Sequence, residues 1–401
     1  MNEKHLLITT STFPRFPGDT DPPFIYELGV RLLRRYAVTI LAPHAKGLKT
    51  NEKLNGLNVH RFRYCFQFAE TLAYEGGILN RIRRRPYTCF LIFPFLFAQI
   101  MALLRHLKTA HYSAINAHWI LPQGLCAALA LKMSRLNIPL VCTVHGGDIF
   151  ALRDPFSKTA KRFVLHASSA IIAVSHAVKT SVLELGIPND KVHVIPMGVD
   201  VQTLFVPRLE KRVPKNLLFV GRLVPKKGVM FLIEAMPIVI ARHPDVCLTI
   251  IGSGPDEHVI KKRIAELRLE NYIHMEGPVP HDMLPVYYQS ASIVIFPSIV
   301  DSSGDTEGFG LVMVEAMGCG CAVIASDLPA IHDVIDNNTT GILVPPQNKR
   351  ALADNIIYLL DNPDKRKLLG TSARKLVLER FDWTITATQY MHILDVVTLK
   401  S

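Results

Sequence analysis

The chain has 401 residues, too many for one ordinary hydrophobic core, so two domains are expected. Hydrophobic residues make up 49% and charged residues 20%, which excludes an intrinsically disordered chain. The net charge of +11 lies in the first half: residues 1–200 hold 24 Lys+Arg against 12 Asp+Glu, and residues 201–401 hold 21 against 22. Such asymmetry turns the first half toward an anionic surface, lipid headgroups or nucleic acid, although no nucleic-acid-binding motif accompanies it. The seven cysteines are scattered with no CxxC pair, and they read as free thiols in a reducing cytoplasm.

The first apolar run, "HLLITTSTF", is too short and too polar for a signal peptide and reads as a first strand. "AVTILAP", "SAINAHW", "PLVCTVHG", "AIIAVS" and "VHVIPMG" follow as further strands, with helix-period stretches between them. The second half repeats the plan with "NLLFVGRL", "VCLTIIGSG", "YIHMEG", "ASIVIFPS", "GCAVIAS" and "GILVPP". Continuous apolar strands alternating with helices specify a parallel sheet covered on both faces. The expected fold class is therefore α/β, two Rossmann-like doubly wound domains in tandem. The expected limits are residues 1–200 and 201–380, with a final amphipathic helix, 381–401, crossing back to the first domain. One region, 81–104, breaks the pattern: Arg81, Arg83, Arg84 and Arg85 precede sixteen mostly apolar residues, Cys89 to Leu104. That run is short of the roughly 20 residues that span a bilayer. A basic cluster beside an aromatic and aliphatic helix suits docking on an anionic membrane surface; the competing reading is a buried core helix.

In open parallel sheets ligands bind beyond the carboxyl ends of the strands, so polar residues just after strands are the candidates. Arg222 and Lys227 in "GRLVPKKG" stand where a clamp on a phosphate or diphosphate is expected. In "DTEGFGLVMVEAMG", Gly308 and Gly310 allow close backbone approach, and a helix starting near Leu311 offers free amides to an anion. Glu307 at that helix mouth suits neutral hydroxyls, and Glu315 two turns on suits a vicinal diol such as ribose. "VCTVHGGDIF" puts His145 and Asp148 at a strand end. The GxG at Gly252 and Gly254 is weak by itself, and the sixteen histidines show no metal-ligand spacing.

Glu307-x7-Glu315, together with "GRLVPKKG", "IIGSGP" and "VIPMGVD", closely resembles the retaining GT-B glycosyltransferases of family 4, the group 1 family. The resemblance covers nearly the whole chain. It implies two Rossmann-like domains facing across a cleft and a nucleotide diphosphate-sugar, UDP- or GDP-linked, held mostly by the second. It places Glu307, His145, Arg222 and Lys227 at the reaction centre and Gly308, Phe309, Gly310, Leu311 and Glu315 around the donor. Gly18 in "STFPRFPGDTDPPF" matches the family's first loop, which often carries paired glycines near the diphosphate. His118 and Trp119 in "INAHWILPQG", with Asp148, fall on the acceptor side. The donor is a co-substrate, and no metal or other cofactor is implied. With the basic first half, this points to a lipid-linked or polysaccharide acceptor, peripheral contact with an anionic membrane on its cytoplasmic face, and no nucleic acid. The alternatives are a GT-B-fold nucleotide-sugar epimerase and a glycosyltransferase with a soluble acceptor.

Overall fold

The buried strands "LLIT" and "VCTV" mark the middle of a first parallel sheet in the computed structural model, which describes residues 4–16, 19, 23–74 and 77–399. The chain divides into two compact units, Met1–Pro196 with Thr384–Ser401, and Met197–Trp383. In unit 1 the strands are β1 (His5–Thr9), β2 (Ala37–Pro43), β3 (Asn51–Leu54), β4 (Leu57–Phe62), β5 (Ala114–His118), β6 (Leu140–Val144), β7 (Ala170–Ala173) and β8 (Val192–Val194). They lie in the order β3-β4-β2-β1-β5-β6-β7-β8. Helices α1 (Phe24–Leu32), α2 (Ile78–Arg84), α3 (Ile92–Thr109), α4 (Leu125–Ser134), α5 (Gly147–Phe150), α6 (Pro155–Ala167) and α7 (His176–Leu183) connect them.

Strands β3 and β4 are absent from the expectation above. They form an antiparallel hairpin at the sheet edge, closed by Asn55 and Gly56, both at positive φ (46° and 89°). An Asn-Gly pair is the two-residue turn that matches strand twist. Because β3 is edge-lying and polar ("NEKL"), no apolar run announces it.

Unit 2 holds β9 (Asn216–Val220), β10 (Cys247–Ile251), β11 (Ile273–Gly277), β12 (Ile293–Phe296), β13 (Ala322–Ser326) and β14 (Ile342–Val344), in the order β11-β10-β9-β12-β13-β14, all parallel. Its helices are α8 (Val229–Arg242), α9 (Glu257–Glu266), α10 (Leu284–Ser290), α11 (Leu311–Gly318), α12 (Lys349–Asp361) and α13 (Pro363–Arg380). In both sheets the strand order, not the strand direction, reverses once, between β1 and β5 and between β9 and β12. Connections leave such a switch point on opposite faces and open a crevice at the strand ends. The α/β architecture of two parallel Rossmann-like sheets expected from the sequence is the one found.

The last helix, α14 (Trp383–Leu399), packs in unit 1 from Thr384 onward. Tyr390 and Leu394 are fully buried, and Thr386 Oγ1 donates to the Pro196 carbonyl at 3.3 Å. Asp395 takes Lys4 Nζ at 2.8 Å, Tyr36 OH at 2.8 Å and Arg35 Nε at 2.6 Å. Burial raises the Asp395 pKa, but these three donors outweigh it and hold the group below its ordinary value.

The segment flagged by its arginines forms a helical run, Pro86–Thr109, made of a short turn, Pro86–Leu91, and α3. At 24 residues, with an 18-residue stretch of mean hydropathy 2.0, it is longer than the apolar run in the sequence, and long enough by length and composition alone to cross a bilayer. Its other face belongs to unit 1: Phe95, Gln99, Leu103 and Leu107 are buried, and Gln99 Nε2 donates to Thr9 Oγ1 at 2.9 Å. Phe90, Phe93, Phe97 and Met101 project on the outer face, with exposures of 81, 78, 60 and 47%. Arg85 precedes this stripe, Arg105 and Lys108 follow it, and all three are exposed. One face is thus core and the opposite face an uncovered apolar ridge with basic ends.

Candidate active site

In unit 2 the switch-point loops after β9 and β12 are pressed together. Gly228 sits at φ +64°, and a Cβ there would meet the Pro297 carbonyl oxygen at 1.8 Å, so only glycine permits this approach. Ile299 N donates to the Lys226 carbonyl at 2.8 Å across the same seam. The two lysines just before Gly228 therefore face the 301–310 loop. Lys227 Nζ lies 2.5 Å from Glu307 Oε2, and Lys226 Nζ lies 3.0 Å from Asp305 Oδ1 and 3.1 Å from the Thr306 carbonyl. Burial pushes the Glu307 pKa up, but Lys227 and Lys226 outweigh it, so the group stays below its ordinary value and ionised. Arg222 stands half-buried at the start of the loop after β9.

Past Glu307 the chain enters α11 through Gly310 at φ +89°, where a Cβ would strike Met313 Cε at 2.0 Å. Gly308 contributes its N–H to the Glu307 carboxylate. Phe309 turns its ring inward onto Phe381, centroids 5.6 Å apart, so its backbone, not its side chain, is what it can offer a ligand. Leu311, half-buried, opens the helix. Glu315 is 2% exposed and both its oxygens have internal partners: His281 Nε2 at 2.8 Å on Oε1 and Tyr288 OH, donating at 3.1 Å, on Oε2. Phe205 backs both partners, at 5.3 Å from the His281 ring and 6.0 Å from Tyr288. Burial, then the adjacent Glu315 charge, drives the Tyr288 pKa well above its ordinary value, so it remains a donor. A carboxylate has about four lone-pair sites, so the two accepted bonds leave Glu315 with unused acceptor capacity.

In unit 1 four predicted residues form a single cluster at the ends of β5 and β6. His118 Nδ1 is 3.0 Å from His145 Nε2, with the rings near-parallel at 25°. Trp119 lies over His145 at 4.7 Å and Phe24 closes another side at 5.3 Å, so the imidazole is boxed by three rings. Trp119 holds φ at 74°, a strained conformation for a large side chain of the kind that collects at functional sites. Burial pulls the His145 pKa down to about 3; burial, then His145, takes that of His118 well below its ordinary value. Both rings are neutral at pH 7. Asp148 is 5% exposed and turned to the backbone: Oδ2 accepts the N–H of Ile120 at 2.8 Å, and Oδ1 those of His145 and Gly146, both at 3.1 Å. It staples the β5 end to the β6 end beneath the rings. Gly18 lies outside the described residues.

Family models for glycosyl transferases group 1 and for glycosyltransferase family 4 match residues 201–376 and 24–203. Over 281 residues the chain is 34% identical to the phosphatidyl-myo-inositol mannosyltransferase of Mycobacterium tuberculosis, covering 67% of this chain and 71% of that protein. The chain belongs to the family 4 (group 1) glycosyltransferases. Its fold matches the sucrose-phosphate synthase of Thermosynechococcus elongatus at a TM-score of 0.80, with 23% identity and all of both chains covered. It also matches Anabaena HepE in complex with UDP-glucose at 0.73, with 22% identity and 98% and 99% of the two chains covered.

A family 4 glycosyltransferase uses a nucleotide-sugar donor, and the residues that sequence reasoning omitted are those that already occupy the predicted ones. Lys226 was hidden by standing next to Lys227. His281 and Tyr288 lie 34 and 27 positions before Glu315, in the unremarkable stretch "HDMLPVYY", and no local pattern ties them to it. Phe24, the first residue of α1, carries no signal of its own in the sequence. The sequence signal for such partners is weak; a buried Glu in an apolar helix says only that some partner exists.

Proposed function

We propose that this glycosyltransferase is retaining and metal-independent and moves a hexosyl group from a UDP- or GDP-sugar to a hydroxyl of a lipid-linked acceptor during cell-envelope glycan synthesis. The observation that carries the acceptor assignment is the ridge of Phe90, Phe93, Phe97 and Met101, exposed between Arg85 and Arg105–Lys108. Aromatic side chains that enter the headgroup boundary, with cations at both ends, hold a protein on an anionic leaflet while the other helix face stays in the core. The mycobacterial relative, a phosphatidyl-myo-inositol mannosyltransferase, has a lipid in its name, in keeping with this reading. The protein would then work peripherally on the cytoplasmic face of the membrane.

In the reaction, Arg222 and Lys227 take the donor diphosphate and stabilise the charge that grows on it as the glycosidic bond breaks. The acceptor hydroxyl enters on the face the diphosphate leaves, and the departing phosphate oxygen takes its proton. Glu307 grips sugar hydroxyls, Glu315 the ribose, and His145 the transferred sugar. Arrival of the diphosphate exchanges the partner of Lys227: the phosphate replaces Glu307, which turns to the sugar. The epimerase alternative asks for additional acid/base carboxylates, and Asp148 in unit 1 is committed to three backbone N–H groups.

The test is release of nucleotide diphosphate from a panel of UDP- and GDP-sugars, with and without bacterial lipid extract, alongside flotation with anionic vesicles. Wild type is expected to consume one donor only with extract and to float with vesicles. The triple variant Phe90→Ser, Phe93→Ser, Phe97→Ser should lose flotation by at least ~10-fold, since each exposed phenylalanine contributes on the order of 1–2 kcal/mol of burial. Equal flotation of wild type and variant, or turnover on water-soluble acceptors alone, would overturn the lipid reading.

A further inference from the structure

His118 is fully buried at the last position of β5, and it makes one side-chain hydrogen bond, to His145, at 3.0 Å. Its other nitrogen, Nε2, is buried and has no partner among the described residues. Each neutral imidazole carries one N–H and one bare nitrogen, so the pair has two arrangements. In the first, His118 carries its proton on Nδ1 and donates to His145 Nε2; His118 Nε2 is then a bare lone pair, and His145 must carry its proton on Nδ1. In the second, His145 donates from Nε2, and His118 is forced to place an N–H on its buried Nε2, facing no acceptor. A buried orphan N–H is rarer and costlier than an under-used acceptor.

We propose that His118 is a positioning residue that locks His145 into the Nδ1–H tautomer, so that His145 presents a hydrogen-bond donor to an oxygen of its ligand. The proposal rests on the reading of His145 as a sugar-contacting residue, and it adds the sense of that contact: an N–H toward an oxygen of the transferred sugar, not a base toward a hydroxyl proton. The surroundings agree. Trp119 and Phe24 hold the ring in plane, and Asp148 holds the His145 backbone N–H, so the free variable at this position is which nitrogen bears the proton. A neighbouring imidazole with a single hydrogen-bond partner sets that variable in the way second-layer carboxylates and carbonyls set metal-bound or catalytic histidines.

The experiment is long-range ¹H–¹⁵N correlation on the full chain labelled with ¹⁵N-histidine, His145 and His118 being assigned by the variants His145→Gln and His118→Asn. The expected result is Nδ1-protonated His145 and Nδ1-protonated His118 at pH 7; an Nε2-protonated His145 overturns the proposal. Kinetics supply the second arm. His118→Asn, whose amide can donate from the same place, should keep the His145 tautomer and most of kcat. His118→Leu should release it and lower kcat about tenfold, the worth of one hydrogen bond, with the donor KM little changed. If the leucine variant does not fold, the wild-type spectrum decides alone. An Nδ1–H spectrum in a protein that consumes no nucleotide-sugar would leave the tautomer lock standing and refute the sugar-site reading of His145.

Discussion

Glu307 and Glu315 differ by eight positions and by what they hold. Glu307, at a loop mouth, is paired with a lysine that a diphosphate would claim. Glu315, in an apolar helix, is satisfied by an imidazole and a phenol within its own unit. Glu307→Gln removes the competitor for Lys227 as well as the grip on the sugar proposed for Glu307. We therefore expect opposite effects in one variant: kcat lower by ~10²-fold, the range for loss of one charged contact in a transition state, and tighter binding of the free nucleotide diphosphate by calorimetry. Weaker diphosphate binding in this variant would show that the Lys227–Glu307 pair does not exchange. That Glu315 needed a partner was legible from its apolar neighbours; that the partners are His281 and Tyr288 was not, because β12 and the loop after it separate them from α11 along the chain.

Among the elements, α14 and α3 show how sequence pattern and packing divide the work. The last helix is tied to unit 1 by Asp395, whose carboxylate gathers donors from β1's approach and from the α1–β2 turn. Asp395→Ala should cost unit 1 about 1–3 kcal/mol, because the buried Tyr36 loses the acceptor for its OH, measured by urea unfolding. An unchanged midpoint would mean that Tyr390 and Leu394 alone secure the helix. For α3, hydropathy could not choose between a core helix and a membrane-surface helix. The structure shows a core face of Phe95, Gln99, Leu103 and Leu107 and an uncovered face of phenylalanines on one helix. A run apolar all round carries no periodic signal to separate the two faces.

At the scale of the molecule, His60, His106, His118, His145 and His193, five histidines of unit 1, have lowered pKa values, and burial is the leading cause for each. The sign follows directly. Below pH 6.5 the unfolded chain takes up protons that these folded imidazoles refuse, so stability rises with pH in this window and is lost as pH falls through it. Each imidazole held neutral by burial adds a slope of up to ~1.4 kcal/mol per pH unit. Unit 1 should therefore soften from pH 6.5 down to about 3, the folded-state pKa of His145, with His106 taking up its proton at about 4 on the way. Urea titrations at pH 7.5, 6 and 5, read by a unit 1 probe such as Trp119 fluorescence, check this; a midpoint independent of pH would refute it.

By itself the sequence determined the α/β class and the family, because strands buried on both faces must be written as continuous apolar runs, and strand-end loops that meet phosphate and sugar must be written in Gly, Lys, Arg and Glu. It did not show the β3–β4 hairpin, whose polar edge strand needs no apolar signal. Tertiary structure alone decided that Asp148 serves the backbone of both strand ends, that His118 and His145 share a hydrogen bond although 27 positions apart, and that Lys226 and Lys227 already hold acids. The physical reason is common to all three. Hydrogen bonds and ion pairs act over about 3 Å, and in a parallel sheet neighbouring strand ends are separated by a whole crossover helix along the chain.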